Sequence, residues 1–178
     1  MKNLEIKCRL NEFTAARRVL LRLGAARQSP VLRQVDWYFS VPRGRFKLRQ
    51  INGGPGELIF YIRPTRRAAR LSTFGRLPVP DVAETRRLLA RALGENACVR
   101  KRRELWLFEN ARIHLDQVDG LGRFLEIEVV VARGVRQARA LMNSLARELN
   151  LSPSRFLAHS YSELLPRTKT ARSPRVRQ

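Results

Sequence analysis

The sequence is poor in the residues that carry most recognisable site chemistry. Its 178 residues include two cysteines, two histidines, two methionines and two tryptophans. Cys8 and Cys98 are too few and too far apart for a disulfide framework or a zinc site. With only His114 and His159, no Ser-His-Asp or Cys-His arrangement can be argued. No apolar run approaches the ~20 residues of a membrane helix, so no membrane partner is expected. The start, Met1 to Lys7, lacks the apolar core of a secretion signal, and a cytoplasmic location is the expectation. Acidic residues are scarce as well: 15 Asp plus Glu stand against 36 Lys plus Arg, a formal charge of +21.

What is present is cationic and otherwise ordinary. A basic excess of this size points to a polyanionic partner. Only five of the basic residues are Lys, however, and an arginine-rich coding bias produces the same total. At 44% hydrophobic residues the chain is not disordered as a whole, and its length suits one domain. The stretch 166–178 has five basic residues, no acidic one and no hydrophobic periodicity. It reads as a disordered basic tail.

The body alternates between two periods. Leu4, Ile6, Cys8 and Leu10 interleave with Asn3, Glu5, Lys7 and Arg9, the mark of a strand. Phe13, Ala16, Leu20 and Leu23 follow helical spacing up to Gly24. Further strands are predicted over 31–41, 45–51, 57–63, 71–79, 98–108, 111–118 and 123–132. Gly-rich or Pro-containing turns separate several of them, which implies antiparallel pairing. A second helix begins at Asp81, with Glu84 as its capping-box partner, and ends at Gly94. A third carries Val135, Ala138, Leu141, Met142, Leu145 and Leu149. A short helical segment is expected ahead of Tyr161 to Leu165.

The phase of the charges is more informative than their sum. Arg45, Lys47 and Arg49 share one strand face, as do Lys101 and Arg103, Glu5 and Lys7, and Arg112, His114 and Asp116. Side chains at i and i+2 stand ~6.5–7 Å apart on one side of a strand. A sheet with one solvated face gives the same pattern. Closing the sheet with that face inward would instead make a charged tunnel. A triphosphate with a divalent metal would suit it, offering oxygens to Arg and Lys and an ion to Glu5, Glu126 and Glu128. Glu126 and Glu128 lie on an apolar strand, where two like carboxylates need a cation.

In these residues the chain resembles the CYTH superfamily of triphosphate-tunnel proteins. Asn3-Leu4-Glu5-Ile6-Lys7 is similar to the family's Glu-x-Glu-x-Lys motif, with Asn3 in place of the first Glu. The likeness continues through Asp36 to Phe39, Gly44 to Arg49, Tyr61 to Pro64, Lys101 to Arg103, Arg112 to Asp116, Gly120 to Glu128 and Ser160 to Leu165. The resemblance implies an α+β fold, an eight-stranded antiparallel closed β-barrel with surrounding helices, over residues 1–165. It implies Mg²⁺ or Mn²⁺ as cofactor and a triphosphate-bearing small molecule as substrate. Mapped residue by residue, Lys7, Lys47, Arg49, Arg63, Arg70, Lys101, Arg103 and Arg112 would bind phosphate oxygens. Glu5, Glu126 and Glu128, with Asp116 as a further candidate, would hold metal. Glu5, Lys7, Lys101, Arg103 and Glu126 are the catalytic candidates.

Three functions stay open on this reading. The first is hydrolysis of a terminal phosphoanhydride in tripolyphosphate, a nucleoside triphosphate or thiamine triphosphate. The second is a class IV adenylyl cyclase, making cyclic AMP and pyrophosphate from ATP. The third is a non-catalytic module binding polyphosphate or, through the basic tail, nucleic acid. Glu126 and Glu128 disfavour the third, since a pure phosphate binder has no need of them. A homodimer is one option for the assembly.

Overall fold

A computed structural model describes residues 2–62, 64 and 68–165. Arg63 and the expected tail, 166–178, lie outside the described residues. The strands are β1 (Lys2–Leu10), β2 (Ala26–Arg27), β3 (Leu32–Phe39), β4 (Arg45–Ile51), β5 (Gly56–Ile62), β6 (Arg70–Val79), β7 (Glu95–Phe108), β8 (Ala111–Val118) and β9 (Gly122–Val130). The helices are α1 (Thr14–Arg22), α2 (Val82–Leu93), α3 (Val135–Glu148) and α4 (Tyr161–Leu164).

Eight strands close into an antiparallel barrel in the order β7-β3-β4-β5-β6-β1-β9-β8, and β8 returns to β7. Closure depends on β7, which is 14 residues long. It pairs β3 over Glu95–Arg103 and β8 over Lys101–Phe108, so one strand serves both sides of the seam. A closed barrel leaves no long sheet edge to be protected. The two-residue β2, which periodicity cannot reveal, pairs with the end of β7.

Period-2 alternation divides the strands between an outer apolar layer and an inner polar one. Leu4, Ile6, Ile113, Leu115, Leu125 and Ile127 point outward into one core cluster. They are covered by Ala16 and Leu20 of α1 and by Ala138, Met142 and Leu145 of α3. On the other side, Val82 of α2 joins Trp37, Phe39, Leu48 and Val79. Most of the hydrophobic core therefore lies outside the barrel, which leaves much of the barrel interior free to be polar.

Local chemistry accounts for the turns. Gly24 ends α1 at φ +74°, a conformation that costs glycine little. Gly44 makes the β3–β4 hairpin at φ +70°, where a Cβ would stand 2.7 Å from the Tyr61 carbonyl oxygen. At α2 only half of the expected capping box forms. Asp81 accepts from the Glu84 N–H at 2.9 Å, while the Glu84 carboxylate pairs with Arg87. The reciprocal box occurs instead at Ser160 and Glu163. A 3₁₀ turn at Pro153–Arg155 supplies the short segment expected ahead of Tyr161, and Tyr161–Leu164 is itself helical. Among the described residues, no helix is long and apolar enough to cross a membrane.

Candidate active site

The inward residues of the strands converge on a cavity of about 120 Å³. Seven cationic and four carboxylate side chains line it, an excess of positive charge in which Lys7, Lys47, Lys101 and Arg103 are buried and Arg49, Arg76 and Arg112 stand nearer the solvent. Of the candidates drawn from the sequence, Glu5, Lys7, Lys47, Arg49, Lys101, Arg103, Arg112, Glu126 and Glu128 all reach it. Arg63 lies outside the described residues.

Strand register sets the pairing. Lys7 stands opposite Glu126, and their charged atoms meet at 3.1 Å. Asp36 stands opposite Arg49, which donates to it at 2.8 Å, and Lys47 donates from the diagonal position at 2.9 Å. Arg103 stands opposite Asp116 and donates to both of its oxygens at 2.6 Å. Arg103 also donates to Glu126 at 3.1 Å. Each guanidinium is thereby fixed before any ligand arrives.

Two candidates are not brought to the cavity. Arg70 is fully buried and spends its guanidinium on the carbonyls of Leu157 and Ala158, at 2.8 and 2.6 Å, and on Glu5 at 3.3 Å. Its strand phase is inward, but its depth places it where the chain crosses one end of the barrel. Asp116 is also fully buried, and it is committed to cations and a phenol. Besides Arg103 it accepts from Tyr161 Oη at 2.9 Å and lies 3.4 Å from Lys101 Nζ.

The carboxylates that do gather are Glu126 and Glu128. Together with His114 they present ligand atoms within 4.8 Å of one another. His114 Nδ1 lies 3.6 Å from Glu126 and 4.0 Å from Glu128. Two carboxylates and an imidazole form a donor set suited to a divalent cation. Asn3 lines the same cavity and is buried, and among the described residues its Oδ1 has no hydrogen-bond partner.

The electrostatics follow from burial and neighbours. Burial pushes Lys47 down to about 7, with Arg49 adding to the effect against Asp36. Burial and Arg103 push Lys101 down to about 8. For Asp36 burial acts upward, but Arg49 and Lys47 outweigh it and hold the carboxyl well below its usual range. Arg103 and Lys101 do the same for Asp116. Burial and Arg103 lower His114.

Four features escaped the sequence reading. Asp36 was visible only as part of a motif, yet it anchors Lys47 and Arg49; the Gln34, Asp36, Tyr38 alternation was the available signal. Arg76 continues the inward phase of Ser72 and Phe74 into the cavity. Ile59, Tyr61 and Phe74 give the cavity one apolar wall, and Tyr61 faces Phe74 across the β5–β6 pair. Tyr161 packs with the inward residues Tyr38, Val99, Val118 and Phe124, so α4 plugs one end of the barrel. The Lys7 ammonium stands 3.8 Å from its ring centroid.

A family model, the CYTH domain, matches residues 1–161. The chain belongs to the CYTH domain family. Solved structures share the fold. The PH1012 protein of Pyrococcus horikoshii is 26% identical, with 92% of this chain and 99% of that chain covered and a TM-score of 0.82. A proposed adenylate cyclase of Vibrio parahaemolyticus is 19% identical, with 91% and 96% covered and a TM-score of 0.72. A Hippeastrum protein with a dominant triphosphatase activity is 15% identical, with 92% and 93% covered and a TM-score of 0.59. No curated protein matches this CYTH chain in sequence.

Proposed function

We propose that this CYTH protein is a metal-dependent enzyme that hydrolyses the terminal phosphoanhydride of a triphosphate-bearing substrate. The observation that carries the reading is the cavity's seven cations against four carboxylates, beside a cluster of metal donors. A cationic excess converging in low dielectric is costly until a polyanion enters. A triphosphate supplies several negative charges along one short chain and offers many oxygens to Lys and Arg.

Each residue has a task in this reading. Lys7, Lys47, Arg49, Lys101, Arg103 and Arg112 bind phosphate oxygens. Asp36 and Asp116 keep Arg49 and Arg103 aimed, so little reorganisation is needed as charge develops. Tyr161 closes one end of the tunnel and limits access of water there. Glu126, Glu128 and His114 would hold a divalent ion, which would supply Lewis-acid polarisation at the phosphoryl group. Water adds to the terminal phosphorus, the bond to the bridging oxygen breaks, and orthophosphate leaves with the diphosphate product. The triphosphatase activity of the Hippeastrum neighbour supports this choice.

A second reading has its own observation. The apolar wall of Ile59, Tyr61 and Phe74 suits a nucleobase, as a cyclase acting on ATP requires. One assay separates the two. Tripolyphosphate, ATP and thiamine triphosphate are offered with Mg²⁺ or Mn²⁺, and orthophosphate and pyrophosphate are both scored. Orthophosphate release that falls about a hundredfold or more in Glu126→Gln is the expected result. Pyrophosphate with cyclic AMP would favour the cyclase, and no release from any substrate would overturn both.

A further inference from the structure

The inward face of β8 carries Arg112, His114 and Asp116, and two of the three have an evident use. Asp116 is bonded to Arg103, and Arg112 lies 3.9 Å from Glu128. His114 differs from both. It is only 4% exposed, and among the described residues its Nδ1 has no hydrogen-bond partner. A buried ring nitrogen left unbonded is uncommon and calls for an explanation. The groups it faces are two carboxylates, Glu126 Oε2 at 3.6 Å and Glu128 Oε1 at 4.0 Å. Both gaps exceed hydrogen-bond length. They are instead close to the separation of two atoms that share a third. Donors ~2.1 Å from one ion stand about 3.0–3.5 Å apart at ordinary coordination angles.

We infer that His114 Nδ1 is a ligand of the divalent ion, and that this mixed nitrogen–oxygen set holds Mn²⁺ in preference to Mg²⁺. The inference rests on the metal-dependent reading above and assigns the residue that gives the site its selectivity. Register makes the arrangement obligatory. His114 is the cross-strand partner of Glu126, and Arg112 is the partner of Glu128, so the β8–β9 pair fixes the imidazole beside both carboxylates. Glu126 turns Oε1 toward Lys7 and Oε2 toward Arg103 and His114, so an ion at the Oε2 side leaves the Lys7 pair in place. Glu128 is about one-fifth exposed and has room to close the longer gap. Mg²⁺ prefers oxygen donors and gives up water reluctantly, whereas a transition-metal ion accepts imidazole.

The test uses the full chain with Mn²⁺ alone and does not depend on turnover. Protein labelled with ¹⁵N only at histidine is titrated with Mn²⁺, and pulsed paramagnetic resonance reads nitrogen coupling at the metal. The chain has only two histidines, and a His159→Gln control removes the exposed one. The expected result is a ¹⁵N coupling that survives His159→Gln and disappears in His114→Leu. Mn²⁺ affinity in His114→Leu should fall about tenfold or more, with Mg²⁺ affinity changing much less. Mn²⁺ bound by the unmutated chain without nitrogen coupling would overturn the His114 assignment and leave the metal reading standing. No Mn²⁺ binding at all would overturn both. Because the coupling is read on the unmutated side chain at position 114, a variant that fails to fold does not remove the test.

Discussion

Lys47 and Lys101 are the residues whose charge state the fold leaves adjustable. Burial is the main cause for each, with Arg49 or Arg103 adding to it, and they are brought to about 7 and about 8. A bound polyphosphate favours the charged ammonium and moves both values upward. The two lysines therefore take up protons on binding between about pH 7 and pH 9, and their contribution to affinity falls as pH rises through that window. Calorimetry of tripolyphosphate binding in two buffers of different ionisation enthalpy reads this directly. Proton uptake no greater in the unmutated chain than in Lys47→Ala and Lys101→Ala would contradict it. The two lysines themselves were legible from strand phase, since Lys47 sits between Arg45 and Arg49 and Lys101 precedes Arg103 by two. Asp36 was less legible because its importance depends on register with Arg49, which no local pattern states. Arg70 shows the opposite limit: phase gives the side of a strand but not the depth along a tunnel.

At the scale of elements, α4 is small for the work assigned to it. Four residues cannot be stable as a helix alone. It is held by the Ser160–Glu163 box, by Arg45 donating to Glu163 at 2.9 Å and by the Tyr161 ring on Phe124, 4.9 Å between centroids. Tyr161→Phe keeps that ring and loses one bond to a buried carboxylate that Arg103 still serves. Its expected cost is about 1.5 kcal/mol in urea denaturation. Tyr161→Ala also empties the barrel end, and about 3–5 kcal/mol is expected. An alanine variant as stable as the parent would refute the plug. Most other elements were readable because each has a single strong period: 45–51 and 111–118 match their strands end to end. The exceptions are the pieces too short to show a period, β2 and α4.

The whole molecule places most of its apolar core outside the barrel and a cluster of charge inside, and this inversion has a thermodynamic consequence. Alternation along single strands is equally compatible with an open sheet, so closure was legible through the family resemblance alone and not through periodicity. Once closed, the barrel confines seven cations around one cavity. Their repulsion is part of the free energy of the folded state and is absent from the unfolded chain. A ligand that binds only the folded state stabilises it by about 2.7 kcal/mol at a concentration a hundred times its dissociation constant. For a domain of this size that corresponds to roughly 5–10 °C in melting temperature. Tripolyphosphate should produce such a shift with chelator present, because the cations need no metal to bind it. Sodium chloride at the same ionic strength screens the exposed arginines but does not enter the tunnel as a chelating anion, so its shift should be smaller. Lys47→Ala and Lys101→Ala should each shrink the tripolyphosphate shift while leaving the chloride shift unchanged. Equal shifts from the two salts would mean that the +21 acts as surface charge only, and that the tunnel has no special affinity for a polyphosphate chain.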